Sequence, residues 1–203
     1  MNVTGRIYGK KTDIDIENVK TFWNNNARKS SSLKSVLLGN DFAENSADLH
    51  NQKEAKIVLG FTGNAKKTIL DIGCGIGRWA YNLKEIMKTY DGIDFSEEFI
   101  KAANNNFKDF DEINFYCMSA TDIDTTKLLK KYELVIITGV SMYINDDRIN
   151  NLYRYVNKFT EKGSLLYIQD TTSLIEIRLT LDLFANPVGC RPSLCKTRGV
   201  LRF

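Results

Sequence analysis

A single histidine, His50, and four cysteines without a C-x-x-C pair leave little material for a metal centre, and none is expected. Apolar runs are equally scarce. The longest, such as Leu134-Val135-Ile136-Ile137, are strand-sized and far short of the ~18 residues of a membrane span. The first residues, Met1 to Arg6, lack the apolar stretch of a signal peptide, so a cytoplasmic protein with no membrane partner is expected. Cys190 and Cys195 could pair, but a reducing compartment favours free thiols. No internal repeat or low-complexity run is present.

Hydrophobic residues make up 43% of the 203-residue chain and charged residues 26%, the balance of a globular domain with a sizeable core. The formal net charge of +3 comes from the stretch after Asp170, where five basic residues face two acids. A neutral body with a basic tail is not the footprint of a nucleic-acid binder. Monomer and homodimer both remain open.

Residues 17–28 and 45–60 read as two helices, the first with Val19, Phe22 and Trp23 on one side. From residue 68 strands and helices alternate. Strands are expected at Thr68–Ile72, Asp91–Phe95, Ile113–Ala120, within Glu133–Tyr143, and at Ser164–Asp170. Arg78–Tyr90 carries Trp79, Leu83, Ile86 and Met87 at helical spacing, and Ser96 is placed to cap a helix opened by Glu97 and Glu98. Such alternation implies an α/β three-layer sandwich around a doubly wound, mostly parallel sheet.

Chemistry begins at Asp71-Ile72-Gly73-Cys74-Gly75-Ile76-Gly77, where a strand feeds a helix through a turn of bare backbone. A dinucleotide fingerprint needs glycine at position 78, which is Arg78 here. An acid opening the turn would repel a pyrophosphate but suits a cationic amino-acid group. This spacing favours an adenosyl sulfonium.

From about Thr68 to Asp170 the chain resembles the class I S-adenosylmethionine-dependent methyltransferases, which have a Rossmann-like fold. The resemblance implies that Asp71, Gly73, Cys74, Gly75 and Gly77 cradle the methionine part of S-adenosylmethionine, and that Asp94 grips the ribose. It implies that Ser119, Ala120, Thr121 and Asp122 border the adenine, with Phe95 either stacked on it or part of the core. Thr138 and Gly139, ending strand four, would run under the sulfonium.

Residues 1–60 are expected to form a helical cap on a core of residues 61–184. The segment Phe22-Trp23-Asn24-Asn25-Asn26-Ala27-Arg28 resembles a helix that closes over the cofactor in small bacterial relatives, which brings Trp23 and Arg28 into consideration, with Tyr8 further upstream. Residues 1–35 hold seven basic side chains against three acids, as a lid for an anionic acceptor would. For proton transfer the candidates are His50, Tyr143 and Asp170. A small, anionic or sugar-like acceptor is expected, methylated at oxygen sooner than at nitrogen. The cap and core are similar to methyltransferases of bacterial capsular polysaccharide clusters that modify phosphoramidate groups.

The tail, residues 185–203, holds both prolines and shows no strand-like alternation. It is expected to be foreign to the family, leaving strand five as an open edge without the usual C-terminal strand pair. Two rival functions stand beside methyl transfer. One is a catalytically idle cofactor-binding relative, the other an NAD-dependent oxidoreductase, against which Arg78 argues.

Overall fold

A computed structural model describes residues 13–30, 32, 36, 46–170 and 197–202. Tyr8, Cys190, Cys195 and the first part of the tail lie outside them. Five parallel strands form the sheet: β1 (Lys67–Ile72), β2 (Met87–Asp94), β3 (Ile113–Cys117), β4 (Leu134–Thr138) and β5 (Leu165–Asp170). A sixth, β6 (Thr197–Arg202), runs antiparallel to β5, and the order is β3-β2-β1-β4-β5-β6. The helices are α1 (Ile16–Lys29), α2 (Ser46–Thr62), α3 (Arg78–Asn82), α4 (Glu97–Asn106) and α5 (Ile149–Phe159).

Strand alternation sorts side chains into two cores. On one face Ile69, Tyr90, Phe115, Leu134 and Ile136 pack under Val58 of α2, Trp79 of α3 and Ala103 of α4. On the other, Leu70, Ile72, Ile93, Val135 and Ile137 pack against Leu152, Val156 and Phe159 of α5. The α/β three-layer sandwich is thus present. Above the sheet's carboxyl edge a third cluster joins Trp23 and Ala27 of α1 to Phe99 of α4.

Local chemistry sets the helix starts. Asp15 caps α1 by accepting from the amides of Glu17 and Asn18, and Ser96 caps α4 by accepting from Phe99 N. The Ser96 hydroxyl also donates to Asn24 Oδ1 at 2.6 Å, pinning α1 to α4. At the other end of α1, Asn145 and the Ile14 backbone exchange hydrogen bonds of 2.7 and 2.8 Å.

Three expectations need correction. The helix of residues 78–90 ends at Asn82, and a single 3₁₀ turn, Lys84–Ile86, leads into β2 at Met87. Leu83, Ile86, Met87 and Tyr90 are buried either way, so periodicity could not separate the readings. β3 stops at Cys117, and residues 118–133 reach β4 without a helix. Strand five is not an open edge, because β6 pairs with it along its whole length, from Leu165↔Arg202 to Asp170↔Thr197.

Among the described residues, no helix is long and apolar enough to cross a membrane, and no cluster of histidine, cysteine and acidic side chains is placed to hold a metal ion.

Candidate active site

The strand order reverses between β1 and β4, and a crevice opens at their carboxyl ends, where open α/β sheets bind ligands. A cavity of about 480 Å³ lies there, within the range of small-molecule sites.

Its floor is the turn after β1. Gly73 and Gly75 have φ of +82° and +54°, left-handed values that favour glycine. A β-carbon on Gly73 would lie 2.2 Å from Val140 Cγ2, and one on Gly75 2.9 Å from Val36 Cγ1. Side chains are excluded, so the backbone itself meets whatever fills the cavity. Gly77 serves packing instead: a β-carbon there would meet the rings of Phe107 and Phe115, and the residue does not line the cavity.

Asp94 ends β2 on the cavity wall. Its Oδ2 accepts from Gly75 N at 3.0 Å and its Oδ1 from Ser96 N at 2.8 Å. Burial raises its pKa to about 6 against the pull of these amides. Phe95, Ser119, Ala120 and Thr121 line the wall beyond it, and Thr138 and Gly139 lie opposite. Cys74 is a buried thiol whose pKa is pushed up by burial and then by Asp94 and Asp71, so it stays neutral. Trp23 closes the cavity from α1, edge-on to Tyr143 at 5.8 Å between ring centroids.

All three proton-transfer candidates line this cavity. Asp170, ending β5, accepts from the Ser141 hydroxyl and the amides of Val140, Ser141 and Met142, while burial raises its pKa to about 6. Tyr143 is pushed up by burial and then by the Asp170 charge, which keeps the phenol protonated. His50 Nε2 stands 2.8 Å from Glu54 Oε1.

Besides Gly77, three expected cofactor contacts are not brought into the cavity. The side chain of Asp71 faces the core beneath the turn, where it accepts from the Tyr90 hydroxyl at 2.5 Å; burial raises its pKa to about 7. Asp122 is exposed on the turn after β3. Arg28 is exposed on α1, 3.2 Å from Glu98.

Other lining residues were not anticipated. Arg78, read from sequence only as a missing glycine, is buried on the wall and donates to Glu54 Oε2 at 2.7 Å. Glu54 is 1% exposed, and its only sequence signal is its place four residues after His50 on one helix. Met118, Asn145, Arg148 and Gln169 also line the cavity.

Sheet order, glycine turn and strand-two acid together define a Rossmann-like methyltransferase fold. A family model described as a methyltransferase domain matches residues 69–163. Over that stretch the chain is similar to methyltransferase domains, and the methyl donor of this fold is S-adenosylmethionine.

Particular relatives are distant. The chain is 22% identical over 172 residues to phosphoethanolamine N-methyltransferase 1 of Triticum aestivum, a match covering 84% of this chain and 33% of that protein. Phosphoethanolamine N-methyltransferase 1 of Haemonchus contortus, solved with phosphoethanolamine and S-adenosylhomocysteine, superposes with a TM-score of 0.66 at 20% identity, covering 89% of this chain and 37% of that one. DhpI, solved as a complex with SAM and HEP, gives 0.60 at 17% identity, covering 81% and 69%. The chain spans about a third of the length of the curated relatives it matches.

Proposed function

We infer that this protein transfers a methyl group from S-adenosylmethionine to a small, phosphate-bearing acceptor. One observation carries the reading: the bare turn at Gly73–Gly75, the Asp94 carboxylate and the Tyr143–Asp170 pair all open onto one cavity.

S-adenosylmethionine supplies an electrophilic methyl group on a sulfonium. The backbone of Gly73, Cys74 and Gly75 holds the methionine part. The Asp94 carboxylate accepts from the ribose hydroxyls, and its two amide bonds fix its orientation for that. Phe95, Ser119, Ala120 and Thr121 enclose the adenine, while Thr138 and Gly139 support the region of the sulfonium. Trp23 covers the site and excludes water. Alignment and water exclusion provide most of the rate in such a displacement. Asp71, Asp122, Gly77 and Arg28 act from outside the cavity, Asp71 by supporting the turn from below.

At the acceptor end Asp170 is the best-placed base, since a carboxyl group titrating at about 6 is ionised and still basic at neutral pH. Tyr143 orients the acceptor, and Arg148, exposed at the rim, offers a cation to an anionic group. The phosphoethanolamine N-methyltransferase relatives support both a phosphate and nitrogen as an acceptor atom beside the oxygen expected from sequence. Of the capsule phosphoramidate reading, the anionic acceptor alone is carried forward.

S-adenosylhomocysteine release should be measured with phosphoethanolamine, phosphorylated alcohols and sugar nucleotides, and the product's methylated atom read by NMR. Turnover with a phosphate-bearing acceptor is expected. Cofactor binding without turnover on any of them would favour an idle cofactor-binding relative, and binding of NAD instead an oxidoreductase.

A further inference from the structure

Two neighbouring strand ends carry polar side chains on the same face of the sheet. Leu134 and Ile136 of β4 and Tyr167 of β5 pack into the core under α2 and α3. Alternation therefore puts Thr138 and Gln169 on that face as well. The two are partners in the β4–β5 register, and both line the cavity. Asp170, one residue on, falls on the opposite face with Leu166 and Ile168.

Groups behind this wall fix the direction in which each side chain can hydrogen-bond. Thr138 Oγ1 accepts from Arg78 Nη2 and from Trp79 Nε1, each at 3.3 Å. Both lone pairs are thereby engaged, and the hydroxyl has only its proton left to offer. Gln169 Oε1 accepts at 3.0 Å from the hydroxyl of Tyr167, a residue 1% exposed. The carboxamide oxygen is thus turned to Tyr167, and among the described residues nothing accepts from the Gln169 N–H pair. Side by side, the two strand ends present donors to the cavity. Arg78 behind Thr138 is paired with Glu54 at 2.7 Å, so the wall is no bare cation and selects by hydrogen-bond direction.

We propose that Gln169 and Thr138 seat an oxygen of the acceptor's phosphate, with Gln169 as a specificity-determining residue and Tyr167 as the residue that positions it. This rests on the methyl-transfer reading above and names the part of the site that recognises the acceptor. A phosphate oxygen carries lone pairs only and matches a pair of donors, whereas an ammonium group has no lone pair for them. Arg148 at the rim supplies the opposite charge. The acceptor then lies across the end of β5, its phosphate on the α2 side and its nucleophile by Asp170 on the other.

NMR titration of the protein, free and loaded with S-adenosylhomocysteine, tests the seat with methyl phosphate and, as the contrary probe, methylammonium. The Gln169 side-chain amide signals should shift with the first and not with the second. Gln169→Glu keeps the shape and the bond from Tyr167 but replaces the N–H pair by oxygen. It should weaken methyl phosphate by about tenfold or more, at least as much as Gln169→Leu does, while S-adenosylhomocysteine affinity stays within about twofold of wild type. Tyr167→Phe should weaken methyl phosphate by a smaller factor and broaden the Gln169 amide signals. Unshifted Gln169 amides, a Gln169→Glu variant that binds methyl phosphate as tightly as wild type, or an equal loss of S-adenosylhomocysteine affinity overturns the proposal. Should the variants not fold, the wild-type titration decides by itself. Wild-type protein that binds no S-adenosylhomocysteine would remove the methyl-transfer reading, and the seat with it, whatever methyl phosphate does.

Discussion

The Gly75 amide donates to the Asp94 carboxylate at 3.0 Å across 19 residues of sequence, tying the turn after β1 to the end of β2. The floor and the wall of the cavity are thereby tied together at the point where a ligand would lie. Asp94 is both a structural acceptor and the group proposed to hold the ribose. Asp94→Ala should therefore weaken S-adenosylhomocysteine binding by about 100-fold or more and lower the melting temperature, whereas Asp94→Asn keeps one of the two acceptors and should lose affinity with a smaller drop in melting temperature. Binding should also weaken as pH falls through about 6, where Asp94 takes up a proton. Titration calorimetry and thermal melts from pH 5 to 8 check each part.

Gly73→Ala introduces two costs. Its φ of +82° disfavours any side chain, by about 1–2 kcal/mol, and its new methyl would press on Val140. Adding Val140→Ala removes the colliding methyl but not the backbone strain. The double variant should regain part of the lost stability and cofactor affinity without reaching wild type, as chemical denaturation and calorimetry of the variant pair would record.

Asp71 gives stability a particular pH dependence. Burial lifts its pKa from 3.8 to about 7, so the folded state holds the proton more tightly than the unfolded one. Its contribution is complete below about pH 4 and is lost as pH rises through about 7. Asp71→Asn cannot ionise and still accepts from the Tyr90 hydroxyl. Between pH 5 and pH 8, denaturant unfolding should show wild type losing more stability than Asp71→Asn; equal losses would refute a buried, titrating Asp71.

For turnover, Asp170→Asn should lower kcat by about 10²- to 10⁴-fold with little change in S-adenosylhomocysteine affinity. At saturating cofactor, wild-type kcat should fall below about pH 6, and the variant should lose that limb. Tyr143→Phe keeps the ring beside Trp23 and should cost about tenfold or less. Steady-state kinetics across pH separate these roles.

Deleting residues 197–203 uncovers the β5 edge that β6 now pairs. A lower melting temperature and concentration-dependent self-association, followed by light scattering, are expected.

What could be read from sequence was local. Gly73, Gly75, Asp94, Ser119–Thr121 and Thr138–Gly139 each sit where a strand ends. A parallel sheet gathers its strand ends on one edge, so a correct strand order brings these residues together. His50, Tyr143 and Asp170 reach the cavity for the same reason or through the cap. The orientation of Asp71 was not legible, because an acid before a glycine turn can point to either face; the Tyr90 hydroxyl beneath the turn decides it. The Glu54–Arg78 pair depends on how α2 lies across α3, which no spacing within either helix encodes. β6 escaped notice because an edge strand takes its hydrogen bonds from its neighbour, and Thr197–Arg202 has no alternation of its own to announce it.

The central claim is that the cavity at the β1–β4 switch point takes the cofactor with its sugar on Asp94. A crystal structure of the protein grown with S-adenosylhomocysteine tests it most directly. The account predicts the methionine part against Gly73–Gly75 and both ribose hydroxyls within hydrogen-bonding reach of the Asp94 carboxylate. A ligand bound elsewhere, or one whose sugar makes no contact with Asp94, would contradict it.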